Sequence, residues 1–187
     1  MATAEELIKG AQDKMVKSVE HARSGFATVR TGRASASLLD RIEVDYYGTQ
    51  TPLRQLSTIN VPDPRMLSVQ PFDPGSIKAI EKAIQESDLG LTPSNDGNLI
   101  RLTIPELTEE RRKELVKVVH QLAEEGRVAV RNIRRDCMHH LRDMRKSGEA
   151  GEDEERRAET ELQKLTDARV KDIDELLKGK EEEILGG

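Results

Sequence analysis

The chain of 187 residues is poor in the groups that most often carry catalysis or covalent stapling: it has one cysteine, two tyrosines, two phenylalanines and no tryptophan. A lone Cys137 excludes an intramolecular disulfide and argues against a fold stapled for an oxidising compartment. Aromatic residues make up 2% and charged residues 35%. That mix suits long charged helices around Leu, Ile, Val and Ala better than a sheet-rich enzyme core. No stretch approaches the roughly 20 apolar residues of a membrane span. The opening MATAEELIKGAQDKM has acids in its first turns and lacks the apolar run of a signal peptide. A soluble, cytoplasmic protein without a membrane partner is expected. There is no phosphate-cradling glycine loop of the P-loop or dinucleotide type, and no nucleophile elbow. Prolines are missing from most of the chain, all seven lying between Pro52 and Pro105.

The proline-free parts read as helix. From Ala4 to Arg30 the apolar positions Leu7, Ile8, Ala11, Met15, Val19, Ala22, Phe26 and Val29 keep helical spacing, with Thr3 as N-cap and Glu5 and Glu6 at the positive end of the dipole. Gly10 and Gly25 weaken this helix by about 1 kcal/mol each relative to Ala without breaking the period. Thr108 to Lys146 predicts a single helix about 60 Å long. Its seam is Leu115, Val119, Leu122, Gly126, Ala129, Ile133, Cys137, Leu141 and Met144. Ser147 to Gly151 interrupts the pattern. A last helix from about Glu152 turns Ala158, Leu162, Leu165, Ala168, Ile173, Leu176, Leu177 and Ile184 inward, under a surface of fourteen acids and seven bases counted from Glu149. Three such helices, none able to bury its stripe alone, make a three-helix bundle, and the short break implies antiparallel neighbours.

The proline-containing part reads differently. Arg41 to Tyr47 alternates like a strand and ends at a turn on Gly48, while Met66 to Gln70 and Leu99 to Ile104 look like further strands. Ser76 to Ser87 is a short amphipathic helix. The expected fold class is α+β. Residues 1–30 and 105–187 form a discontinuous long three-helix bundle, and residues 31–104 form an inserted small β/α/β domain. The chain crosses between them twice, near Arg30, Thr31 and Gly32 and near Ile104 and Pro105, which predicts a two-strand hinge.

Chemistry is sparse. His120 and Glu124, and Asp136 and His140, stand one helical turn apart, but no third ligand is suggested, so no metal, no cofactor and no catalytic residue is assigned. Cys137 lies on the apolar seam and reads as a buried, inert thiol. The stronger signal is charge. From Arg127 to Lys146 seven bases face only Asp136 and Asp143. Arg127, Arg131 and Arg134 are spaced to lie along one face, which Arg135 and Arg142 widen. Such a row suits the backbone of a polyanion, and with no aromatics beside it for stacking it suits the shape of a structured RNA. The plainer alternative is that these arginines pair with the acidic last helix. A coiled-coil scaffold or chaperone, binding protein partners through the bundle, is the competing function. An enzyme using a histidine and acid pair is the third.

Several blocks together resemble the bacterial ribosome recycling factor family: VRTGRAS at Val29 to Ser35, VDYYGTQTPLRQL at Val44 to Leu56, KAIEKAIQESDLGLTPSNDG at Lys78 to Gly97, LTEERRKELVK at Leu107 to Lys117 and RVAVRNIRRD at Arg127 to Asp136. The resemblance implies the same architecture, with an L-shaped outline like that of a transfer RNA. It also implies a monomer that binds the post-termination 70S ribosome between its subunits and splits it with elongation factor G and GTP, hydrolysing nothing itself. By motif, Arg127, Arg131 and Arg134 are the expected contacts with the 23S rRNA of the 50S subunit, and Arg30 and Arg33 are further candidates. The segment Cys137 to His140 and the tail after Lys180 carry no motif of the family.

Overall fold

Helical stripes that cannot bury themselves alone find one another in the computed structural model, which describes residues 2–186. In chain order the elements are helix α1 (Ala4–Ala27), strands β1 (Glu43–Tyr46) and β2 (Thr49–Pro52), the one-turn helix α2 (Leu53–Leu56), strands β3 (Ser57–Asp63) and β4 (Met66–Pro71), helix α3 (Ile77–Gln85), strands β5 (Pro93–Asn95) and β6 (Ile100–Thr103), and helices α4 (Glu109–Lys146) and α5 (Glu152–Gly186). The chain divides into two compact units. One holds the residues up to Arg30 with Glu109–Gly186, the other Thr31–Thr108.

In the helical unit α1, α4 and α5 pack pairwise. The start of α1 is closed by a reciprocal pair: the Glu6 N–H donates to the Thr3 hydroxyl and the Thr3 N–H to the Glu6 carboxylate, each at 3.1 Å. Its buried line runs Ala4, Ile8, Ala11, Met15, Val19, Ala22 and Phe26. On α4 the buried residues are Leu115, Val119, Ala123, Gly126, Val130, Cys137 and Leu141, with Leu122, Ala129, Ile133 and Met144 half-buried. The stripe is therefore wider than the single seam expected, because α4 faces two helices and needs Ala123 and Val130 for the second. Gly126 marks the tightest approach: a Cβ there would lie 3.1 Å from Ile173 of α5 and 3.4 Å from Ala22 of α1. On α5 the unexpected member is Thr166, buried because its hydroxyl donates back to the Leu162 carbonyl at 2.8 Å.

The smaller unit has six strands where three were expected. A hairpin joins β1 to β2, and a four-stranded antiparallel sheet runs β3-β4-β6-β5. Burial alternates on β6, with Ile100 and Leu102 inward, while on β4 Ser68 is buried along with Leu67 and Val69, and Ile77, Ile80 and Ile84 of α3 join the same core. The edge strands β3 and β5 carry Pro62 and Pro93, which suits positions whose outer N–H needs no partner.

Candidate nucleic-acid interface

The basic stripe lies on the α4 face bordering α5, and the two helices run antiparallel there. Cross-helix contacts form a ladder: His120 with Glu181, Arg127 with Asp174 at 2.7 Å, Arg134 with Gln163 at 2.8 Å, Arg142 with Glu159 at 3.9 Å and Arg145 with Glu155 at 2.7 Å. From His120 to Arg142 the rungs recur every seven or eight residues on α4, the spacing at which flanking residues of paired helices meet, while their partners on α5 are spaced by seven, eleven and four.

This arrangement corrects the expectation of an unpaired row. Arg127 is only 19% exposed and is held by both Asp174 and Glu124, the latter at 3.1 Å. Burial would lower its pKa, but the hydrogen bonds to Asp174 and then Glu124 outweigh that and hold it above the ordinary arginine value. Arg127 is thus a clamp between α4 and α5. The partners escaped sequence reading because Asp174 is 47 residues away and only the packing of α5 brings it close.

Other arginines keep more of their charge. Arg131 is 44% exposed, and its one acid, Glu124, stands 4.0 Å away and already accepts from Arg127. Among the described residues Arg134 meets the neutral Gln163 amide and no acid, and its Nε is buried without a hydrogen-bond partner. Arg135 is exposed and has no ion pair among the described residues. Beside Arg134, Arg135 and Arg142 a groove of about 750 Å³ opens toward α5.

Arg30 is exposed just beyond the end of α1, after the buried Val29. In the smaller unit Arg33 is exposed and Thr31 is buried, and Gly32 between them has φ +76°. Ile104 belongs to the core of that unit, its N–H donating to the Arg65 carbonyl at 2.8 Å, while Pro105 is exposed. The chain leaves the smaller unit at Thr108.

The histidine pairs do not assemble as their spacing suggested. His120 turns to Glu181 instead of Glu124, and the His140 Nδ1 lies 2.7 Å from the Asp136 backbone oxygen instead of its carboxylate. Among the described residues no group of three His, Cys, Asp or Glu could hold a metal ion. Cys137 lies against α1, its Sγ 3.6 Å from the Leu7 carbonyl oxygen, and burial pushes its thiol pKa up.

The sequence profile of the ribosome recycling factors matches residues 22–185. The chain belongs to the ribosome recycling factor family. The ribosome-recycling factor of Rubrobacter xylanophilus is 56% identical over 178 residues, covering 95% of this chain and 96% of its own, and that of Synechocystis sp. is 60% identical over 173 residues, covering 92% and 95%. A solution structure of the ribosome recycling factor, 43% identical, covers the full length of both chains with a TM-score of 0.73. A T. thermophilus ribosome recycling factor, from a structure of that factor and the E. coli elongation factor G bound to the E. coli post-termination complex, is 50% identical. It covers 99% of this chain and all of its own, with a TM-score of 0.64. In this member of the ribosome recycling factors, Arg131, Arg134 and Arg135 lie outside the tight acid clamps found among the described residues, on a helix of 38 residues.

Proposed function

We infer that the chain recycles ribosomes in the cytoplasm. It binds the post-termination ribosome between its subunits, docks on large-subunit rRNA through Arg131 and Arg134, and with elongation factor G and GTP splits the particle so that mRNA and tRNA are released. The observation that carries this reading is the full-length match to a recycling factor placed with elongation factor G on the post-termination complex. GTP is hydrolysed by the elongation factor, and the chain, acting as a monomer, supplies no chemical step of its own. Arg30 and Arg33 are secondary contacts, and Arg127 serves by fixing α4 to α5. The passages at Arg30 to Gly32 and at Ile104 to Thr108 act as the hinge, a role supported by the separate core of each unit. A bundle stiff along α4 transmits force, while the hinge lets the elongation factor move the smaller unit with the arginine face still anchored.

The test is equilibrium binding to purified large subunits across a salt series. Wild type is expected to bind tightly and to weaken with salt. Arg131→Ala with Arg134→Ala should make the log–log slope shallower by about two, with the Arg131→Ala change alone leaving stability within about 0.5 kcal/mol. Arg127→Ala should instead cost about 1 kcal/mol of stability, as expected for a partly buried, doubly paired guanidinium. Binding indifferent to salt and to both arginines would make the stripe a solvated surface and favour a protein scaffold.

A further inference from the structure

Helix α5 is acidic by composition, and Glu155, Glu159, Asp174 and Glu181 among its acids serve the ladder to α4. Two of its bases, Arg156, which also stands 3.6 Å from Glu152 one turn back, and Lys164, line the groove of about 750 Å³ between α4 and α5, opposite Arg134, Arg135 and Arg142. Five basic side chains thus surround a cleft lined, among the described residues, by a single acid, Glu159, in a protein of net charge −5. The ladder is at its loosest here. Glu159 stands 3.9 Å from Arg142, whereas the rungs at Arg127 and Arg145 close at 2.7 Å. The next rung is the neutral Gln163, whose carbonyl oxygen accepts from Arg134 and whose amide donates to Asp167 at 2.8 Å. Among the described residues the charge of Arg134 has no counterion and its Nε no hydrogen-bond partner. A cleft with low-dielectric walls and one sign of charge focuses the field inside it.

We propose that this groove is a two-walled phosphate-binding site for a run of RNA backbone, with Arg156 and Lys164 of α5 forming the wall opposite the α4 arginines. The proposal rests on the reading that the helical unit docks on rRNA, and it adds the second helix to that contact. Arg134 to Arg142 spans about 12 Å at 1.5 Å per residue, enough for a few successive phosphates gripped from both sides. The lining has no Phe, Tyr or Trp, and its one ring is the imidazole of His139, so the five basic side chains outweigh any stacking platform and the site takes backbone without reading sequence. The long Glu159–Arg142 contact is the counterion arrangement of the free protein, exchanged for phosphate on binding.

The experiment compares full-length wild type with an Arg156→Ala, Lys164→Ala pair in binding to purified large ribosomal subunits across a monovalent salt series. A Lys171→Ala, Lys178→Ala pair, on exposed positions of α5 outside the groove lining, controls for the same loss of charge. The groove pair is expected to bind about tenfold more weakly at low salt, with a slope shallower by about two, and the control pair to stay within about twofold of wild type. Unchanged affinity and slope in the groove pair would overturn the two-walled site while leaving the α4 contact standing. Equal losses in both pairs would overturn it by reducing the effect to net charge. No binding by wild type at any salt would overturn the docking reading, and the groove with it.

Discussion

Asp73 ties the β1–β2 hairpin to its own loop, 26 residues further along the chain. One carboxylate oxygen accepts the Gly75 N–H at 2.9 Å, and the other accepts the hydroxyls of Tyr46 at 3.0 Å and Tyr47 at 3.1 Å. Tyr47 needs the help. It and Gly48 form the two-residue turn between β1 and β2 with φ of 50° and 86°, a turn type that requires positive φ at both positions and that costs a non-glycine residue about 1 kcal/mol. The Gly75 N–H, and then the two phenols, hold the Asp73 carboxyl below the usual carboxylate range, and the hydrogen bond to Asp73 pushes both phenols up. For Asp73, a lowered folded pKa gives stability that is present above about pH 4 and lost as pH falls through the folded value. For the tyrosines, raised folded pKa values give stability that is present below about pH 10 and lost as pH rises through them. The chain has two tyrosines and no tryptophan, so tyrosinate absorbance reports on this cluster alone. The native midpoint is expected above that of the denatured chain, and Asp73→Asn should bring it down; an unchanged midpoint would show that Asp73 does not hold the phenols. The turn at Gly48 was legible from sequence, but the anchor 26 residues on was not.

At the scale of elements, two helical glycines separate local preference from packing. Gly10 of α1 is exposed, with open space where a Cβ would go, whereas Gly126 of α4 is buried with Ile173 Cδ1 at 3.1 Å from that position. Gly10→Ala is expected to raise thermal stability by about 0.5–1 kcal/mol. Gly126→Leu should lower it by about 1–3 kcal/mol through overpacking at the three-helix contact; a Gly126→Leu protein as stable as wild type would mean that α5 is not held at this distance. Helices α1, α4 and α5 were readable within a few residues because their apolar period is long and uninterrupted. Strands β3 and β5 were not. Only Ile59 of β3 is even half-buried between Thr58 and Asp63, and β5 is three residues long, so neither shows a period of its own. Each exists because it hydrogen-bonds to a strand whose burial is decided elsewhere, β3 to β4 and β5 to β6.

For the whole molecule the proposed function joins an anchored bundle to a movable smaller unit, and Gly32 is where that can be tested. It has φ +76°, and a Cβ would lie 3.0 Å from Leu107 Cγ. Gly32→Ala is expected to cost about 1–2 kcal/mol, to leave salt-dependent binding to large subunits within about twofold, and to slow subunit splitting by elongation factor G and GTP, followed by light scattering. Splitting at the wild-type rate would remove this position from the hinge. The residue order by itself determined that three long amphipathic helices must pair, that the proline-containing middle must fold differently, and that the family is that of the ribosome recycling factors, because period, proline placement and motif are local properties. Tertiary structure alone decided which cations remain available. Arg127 and Arg131 read alike along the chain. The antiparallel approach of α5 gives Asp174 to one, leaves the other half-exposed, and sets Arg156 and Lys164 across a groove from Arg134, since an ion pair depends on distance in space and not on distance in sequence.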